Sequence, residues 1–344
     1  MNNHSLTNLL HKAAFDHHFS GVISIRRGDQ SLFEGAFGFA DRSNLILNQL
    51  NTHYGTASGT KFFTALGIGK LIDSEEISLE SRLEDLVPYE FPHFDPEITV
   101  KHLLTHTSGV FDYYDEEIVE DFDNFFVEIP WYHLTTPRDY LPLFQNEPMK
   151  FSPGERYAYS NGGYILLGII IEEVTNSLYR DFIEEQVFQA NGMVDSGFFA
   201  LNRLPERTAL GYMIDEQGNW KTNHYNLPII GASDGGAFTT AADMARLWQS
   251  FINNKLLSPA LTAMYQEPQV DIYRNEVSYG LGLYIWKKYT PPALYIEGSD
   301  AGVGFDSRHF PKQDVTITIL SNETDGEAAM RKIIYDNLTE IIPV

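Results

Sequence analysis

The 344-residue chain has no cysteine, which excludes disulfides, thiolate metal sites and a cysteine nucleophile. Basic residues are scarce: 24 lysines and arginines stand against 47 acidic residues, for a net charge of −23. Such a surface repels phosphate backbones and anionic lipid, so neither nucleic acid nor a membrane is expected as a partner. Long apolar runs are also missing. None reaches the ~20 residues of a membrane-spanning helix. The polar start "MNNHSLTNLLHKAAFDHHF" holds no apolar segment long enough for a signal peptide, so a cytoplasmic location is expected. What is present is core-forming material, 43% hydrophobic and 13% aromatic. At this length it suits two lobes around a shared interface.

Residues 5–18 predict a first helix, and "FSGVISIRRGDQSLFEGAFGFAD" a hairpin turning near Gly28–Asp29. Helical signals dominate from about Leu79 to Gly211. Strand-like runs return in "YGLGLYIW", "ALYIEGSDAGVGFDSRHF" and "DVTITILSN", and "GEAAMRKIIYDNLTEII" predicts a closing helix. The expected fold is α+β. An antiparallel sheet lobe from residues 1–78 and 212–344 is flanked by the N- and C-terminal helices. A mainly helical lobe, 79–211, is inserted, with the active site at the interface.

Two short segments carry candidate chemistry. In "GTASGTKFFTALGIGKLID", Ser58 and Lys61 are three residues apart, a spacing that puts both on one helix face. A serine becomes a nucleophile only when a neighbouring base takes its proton, and a lysine does so only if its surroundings lower its pKa. Alone, the pair better fits a helix-capping serine beside a solvated lysine. In "FSPGERYAYSNGGYILLGIII", Tyr159-Ser160-Asn161 precedes an apolar helix. Tyr159 suits a general base held near an ammonium, and the Asn161 amide could orient lysine and substrate. The structural alternative is a core tyrosine followed by a capping asparagine.

With these residues the chain resembles the serine β-lactamase and penicillin-binding-protein-like hydrolases, in the branch that includes class C β-lactamases and bacterial esterases. The resemblance runs collinearly through "GVISIRRGDQSLFEGAFGFAD", "GTASGTKFFTALGIGKLID", "ITVKHLLTHTSGV", "FSPGERYAYSNGGYILLGIIIEEVT" and "GGAFTTAADMARLWQSFINNKLLSP". It implies Ser58 as the acylated nucleophile, Lys61 as its partner amine, Tyr159 as the proton-shuttling base and Asn161 as a positioning residue. It also implies an oxyanion hole made by the Ser58 N–H and a second N–H from a sheet-edge strand. No metal and no cofactor are implied.

The family's third element, Lys-Thr-Gly or His-x-Gly on that strand, is replaced. "EGSDAGVGF" places Gly298, Ser299 and Asp300 there as the expected substrate-binding residues. Lys221-Thr222-Asn223 comes too early, and His53-Tyr54-Gly55 lies beside the nucleophile. Without the cation that attracts a substrate carboxylate, a small neutral or amine-bearing ester or amide is the expected substrate. A β-lactamase or D-Ala-type peptidase is the alternative within this chemistry. A catalytically weak ligand-binding or regulatory protein on the same scaffold is the alternative of another class. Oligomeric state is left open.

Three further patterns are read as structural. "GASDG", 231–235, fits the Gly-x-Ser-x-Gly elbow but lacks the helix that should follow directly, so Ser233 is expected in a glycine-rich loop. His102 and His106 have i, i+4 spacing without the glutamate of a zinc-protease motif and are expected as a buried, hydrogen-bonded pair. His17-His18 is expected at the surface. The acidic, aromatic stretch 111–128 reads by composition as a solvated helix face or mobile loop, and the resemblance adds the alternative of a lid at the active-site mouth, with Asp115, Glu116 and Glu117 favouring neutral or cationic substrates.

Overall fold

The computed structural model describes residues 3–115, 117–118, 124–273 and 276–342. Among them, strands β1 (Gly21–Arg27), β2 (Gln30–Phe37), β3 (Val270–Tyr273), β4 (Val277–Tyr279), β5 (Tyr284–Trp286), β6 (Ala293–Asp300), β7 (Val303–Phe310) and β8 (Val315–Ser321) form one antiparallel sheet. Its order is β2-β1-β8-β7-β6-β5-β4-β3. The fold is α+β, as the sequence predicts.

Central β8 is buried on both faces, and its residues sort by alternation. Val315, Ile317 and Ile319 join Ile23 and Ile25 of β1 in a core covered by helix α1 (Asn3–Asp16). Met330 and Ile334 of α6 (Ala328–Asp336) complete that layer. The first helix thus starts and ends two residues before the expected 5–18. The closing helix is interrupted at Asn337 and resumes over Leu338–Ile341.

On the opposite face Thr318 meets Ser307 at 2.9 Å, and Ser307 accepts from the Trp248 indole N–H at 2.9 Å. Trp248 lies on α5 (Ala241–Ile252). Beyond this layer sits the larger core, built around α2 (Thr60–Asp73) and α4 (Asn161–Thr175). Residues Thr60 through Gly69 of α2 are all buried, so this helix is enclosed rather than amphipathic. Its N-terminus abuts β6. Strand β5 pairs with β6 only over Ala293–Tyr295, so from Ile296 onward that edge of β6 faces the turn Ala57–Gly59 instead of another strand.

Candidate active site

Ser58 lies in a single 3-10 turn, Ala57–Gly59, that leads directly into α2. Ala57, just before it, is in the left-handed region at φ 43°, a conformation that costs a non-glycine residue roughly 1–2 kcal/mol. Gly59 is the N-cap of α2 and no side chain caps the helix, so the capping role for Ser58 is not realised. Its hydroxyl instead receives a hydrogen bond from Lys61 Nζ at 3.0 Å. Lys61 is 2% exposed and also donates to Asn161 Oδ1 at 2.7 Å and to the Asp234 carbonyl at 2.6 Å. Three acceptors saturate an ammonium. The same amine lies 4.8 Å from the ring centre of half-buried Tyr159, so all four expected residues meet in one place.

Ser160, not Asn161, caps α4, accepting from the Gly163 N–H at 2.9 Å. Asn161 therefore occupies the first helical position and its side chain is available to Lys61. Its orientation is fixed from behind. The amide nitrogen donates to Asp112 Oδ2 (3.2 Å) and the Tyr114 carbonyl (2.9 Å), leaving Oδ1 to face the amine. Asp112 also accepts from the N–H groups of Asn161 and Gly162, at 2.9 and 3.1 Å. Burial pushes its carboxyl up to about 7, against the opposing pull of those N–H donors and of Lys61.

Gly298 is where β6 touches the Ala57–Gly59 turn. A Cβ there would stand 2.4 Å from the Thr56 carbonyl oxygen and 2.7 Å from the Ser58 nitrogen, so only glycine permits the approach. The β6–β7 hairpin pairs Asp300 with Val303 around Ala301–Gly302, with Gly302 at φ 69°. The residues flanking a two-residue turn exchange both hydrogen bonds, so the next pair, Ser299 and Gly304, does not bond across. The N–H and C=O of Ser299 consequently project from the edge beside Ser58. Its hydroxyl turns to the other face and donates to Asp325, so of Ser299 only the backbone is directed at the site. Asp300 lines the cleft, with Oδ1 accepting from the Ala301 N–H at 2.8 Å.

The cleft above Ser58 spans ≈ 1130 Å³, including space open to solvent, and is walled by aromatics, among them Tyr113, Tyr114, Phe125, Trp131, Tyr140 and Phe199. Asp234 and Asp300 are its acidic residues. No lysine or arginine lines it among the described residues. Tyr113 donates its hydroxyl to the Asp234 carboxylate.

Ser233 is fully buried, its hydroxyl has no hydrogen-bond partner among the described residues, and it backs onto Gly168 of α4. The turn that holds it serves another purpose, presenting the carbonyl of Asp234 to Lys61. His102 and His106 do not form a pair. Helix α3 (Val100–Leu104) ends before His106, and half-buried His102 accepts from the Thr99 N–H at its start. No cluster able to hold a metal exists among the described residues. His17 and His18 are exposed. Of the acidic lid, Asp115 and Glu117 bind Lys150 at 2.7 and 3.2 Å, while Glu116 lies outside the described residues. The lid's aromatics, rather than those acids, reach the cleft. Sequence reasoning missed Asp112 and Asp234. Position along the chain carries no signal that either lies under Lys61.

The family model described as Beta-lactamase matches residues 6–339. The chain belongs to the β-lactamase family. A solved penicillin binding protein from Bacillus halodurans is 40% identical and superposes with a TM-score of 0.90, covering 95% of this chain and 99% of that one. A penicillin-binding protein of Bacillus subtilis (strain 168) is 28% identical over 328 residues, 90% of this chain and 70% of the relative. A D-stereospecific amidohydrolase from Streptomyces shares the fold at 22% identity, TM-score 0.78, over 95% and 97% of the two chains. No helix among the described residues is long and apolar enough to cross a membrane.

Proposed function

We propose that this β-lactamase-family chain is a serine hydrolase that forms an acyl-enzyme from small esters or amides whose acyl part is neutral or amine-bearing. The observation that carries the reading is the Ser58–Lys61 contact of 3.0 Å, at the floor of a cleft that offers carboxylates and no lysine or arginine. Ser58 Oγ bonds to the substrate carbonyl carbon as the Lys61 ammonium passes a proton to the Tyr159 tyrosinate and takes up the Ser58 proton in its place. The oxyanion is held by the N–H groups of Ser58 and Ser299. Collapse breaks the bond to the leaving group, which takes the proton from Tyr159. Water then bonds to the acyl carbon, the Oγ–carbon bond breaks, and a proton returns to Ser58.

Substrate charge follows from β6. The third element of this chain carries no lysine or histidine from Gly298 to Asp300, and the Asp300 carboxylate places a negative charge there instead. A substrate amine near the outward Ser299 carbonyl and the Asp300 carboxylate gains a charge-assisted hydrogen bond, whereas a carboxylate is repelled. The direct test compares p-nitrophenyl esters carrying an amine with succinyl analogues. We expect kcat/KM to favour the amine series by roughly tenfold or more, an energy of about 1.4 kcal/mol, and Asp300→Lys to reverse the order. Preference for succinyl esters, or an order unmoved by Asp300→Lys, would refute the charge assignment.

The 40% identity to a penicillin binding protein favours a second reading, acylation of Ser58 by a β-lactam. Covalent attachment of a fluorescent penicillin, lost in Ser58→Ala, would establish it.

A further inference from the structure

His106 is buried completely, lies outside the cleft lining, and contacts the proposed base and both of its chain neighbours. Its carbonyl accepts from the Ala158 N–H at 2.9 Å. Its Nδ1 accepts from the Ser160 N–H at 3.0 Å. Its ring packs on the ring of Tyr159, with centroids 4.4 Å apart and planes 32° apart. In an extended segment the N–H groups of residues i and i+2 point the same way. The carbonyl and the imidazole nitrogen of one residue therefore act as two successive acceptors of a strand edge, bracketing Tyr159. A backbone φ of 57° brings the two acceptors to one side, since the chain doubles back at His106 instead of continuing α3.

We infer that His106 is a positioning residue that fixes the Tyr159 phenol relative to Lys61. With Nδ1 accepting, the proton sits on Nε2. That atom has no hydrogen-bond partner among the described residues, and the ring is also packed against Tyr164 and Tyr279, each at 4.9 Å. Burial and the neighbouring Lys61 hold the imidazole well below its ordinary pKa, so it stays neutral and Nδ1 remains an acceptor. An orphaned N–H is a cost that a purely apolar ring would avoid. The acceptor at Nδ1 is what a histidine contributes here and a phenylalanine does not.

The inference rests on Tyr159 acting as the base, and the experiment separates the two. His106→Phe keeps a ring but removes the acceptor. His106→Asn tolerates the left-handed backbone and offers an amide oxygen to the Ser160 N–H. Each is made alone and combined with Tyr159→Phe, with folding checked by thermal melting. His106→Phe is expected to lower kcat roughly 10- to 100-fold at nearly constant KM, as small misplacements of reacting groups do. His106→Asn should recover much of that loss. In the Tyr159→Phe background neither change should slow the enzyme further, because the group being positioned is gone. Losses that multiply in the double variants, or wild-type kcat in His106→Phe, would overturn the positioning role. If His106→Phe does not fold, the cycle with His106→Asn decides by the same criterion of non-additivity. Wild-type kcat in Tyr159→Phe would instead overturn the base assignment itself, and the positioning role with it.

Discussion

Two small residues set how closely Ser58, the proposed nucleophile, meets the sheet. Ala57 holds a left-handed turn that presents Ser58, and Gly298 lets β6 pack against that turn. At Gly298 the atoms a Cβ would meet are backbone, Thr56 O at 2.4 Å and Ser58 N at 2.7 Å, so no side chain can swing aside. Gly298→Ala must push β6 away from the turn or tilt the Ser58 N–H. Either movement spoils the proposed pair of oxyanion donors, and loss of one donor typically costs 10²–10³ in kcat. We expect Gly298→Ala to stay folded with kcat reduced by about that factor. Steady-state kinetics on a short ester check this, and near-wild-type kcat would show that the strand edge is not part of the reaction centre. The Ser58, Lys61, Tyr159 and Asn161 cluster was legible because motif and order along the chain both pointed to it. Asp234 and Asp112 were not, since a carbonyl offered to Lys61 and a carboxylate behind Asn161 depend on how loops pack and leave no local pattern. The Ser-capping and Asn-capping readings failed for a related reason. Each cap falls one residue away, at Gly59 and Ser160, and single-residue shifts of helix ends lie below what pattern reading resolves.

At the scale of the element, β6 has two working faces. Toward the helices it presents Gly298. Toward α6 it presents Glu297, which faces Arg308 (3.5 Å) and Arg331 (3.1 Å). Arg308 also binds the fully buried Asp306 through Nε and Nη2, at 3.0 and 2.9 Å, and stacks over Tyr295 at 4.0 Å and Tyr335 at 4.5 Å. This ionic layer sits directly behind the strand that lines the nucleophile. Replacing one partner of a buried ion pair leaves the other charge uncompensated, at a cost of about 3–5 kcal/mol. Arg308→Met is therefore expected to lower the urea midpoint strongly, and a variant within about 0.5 kcal/mol of wild type would show that Arg331 alone suffices for Asp306 and Glu297. The strands of this layer were legible by alternation. The charges Glu297, Asp306 and Arg308 were not, because in sequence they look like the solvent-facing residues of half-buried strands. In the structure α6 covers them.

For the whole molecule, acid stability is set in part by histidines buried neutral. His309 is 1% exposed, bonded to Thr316 at 3.0 Å and stacked on Trp248, and burial lowers its pKa to about 4. The folded state then binds fewer protons than the unfolded chain between pH 6.5 and 4. The stabilisation is present above 6.5 and is lost as pH falls toward 4, a swing of about 3 kcal/mol. Buried His106 acts with the same sign. Urea unfolding across this window should show a shallower decline for His309→Gln than for wild type. Parallel declines would mean that His309 does not titrate with folding. The α+β architecture itself was the most legible feature, since strand alternation, helix periodicity and the collinear motifs all indicated the same arrangement.

The central claim is that Ser58 becomes acylated. Mass spectrometry of the intact and digested protein after incubation with a fluorophosphonate, which phosphonylates an activated serine, tests whether Ser58 is that nucleophile, on wild type and on Ser58→Ala, with both proteins shown to be folded by thermal melting. One adduct on the wild type that maps to the Ser58 peptide, and none on the variant, is the predicted result. An adduct that persists on Ser58→Ala, or a wild-type protein that takes up no label while it hydrolyses esters, would contradict the account.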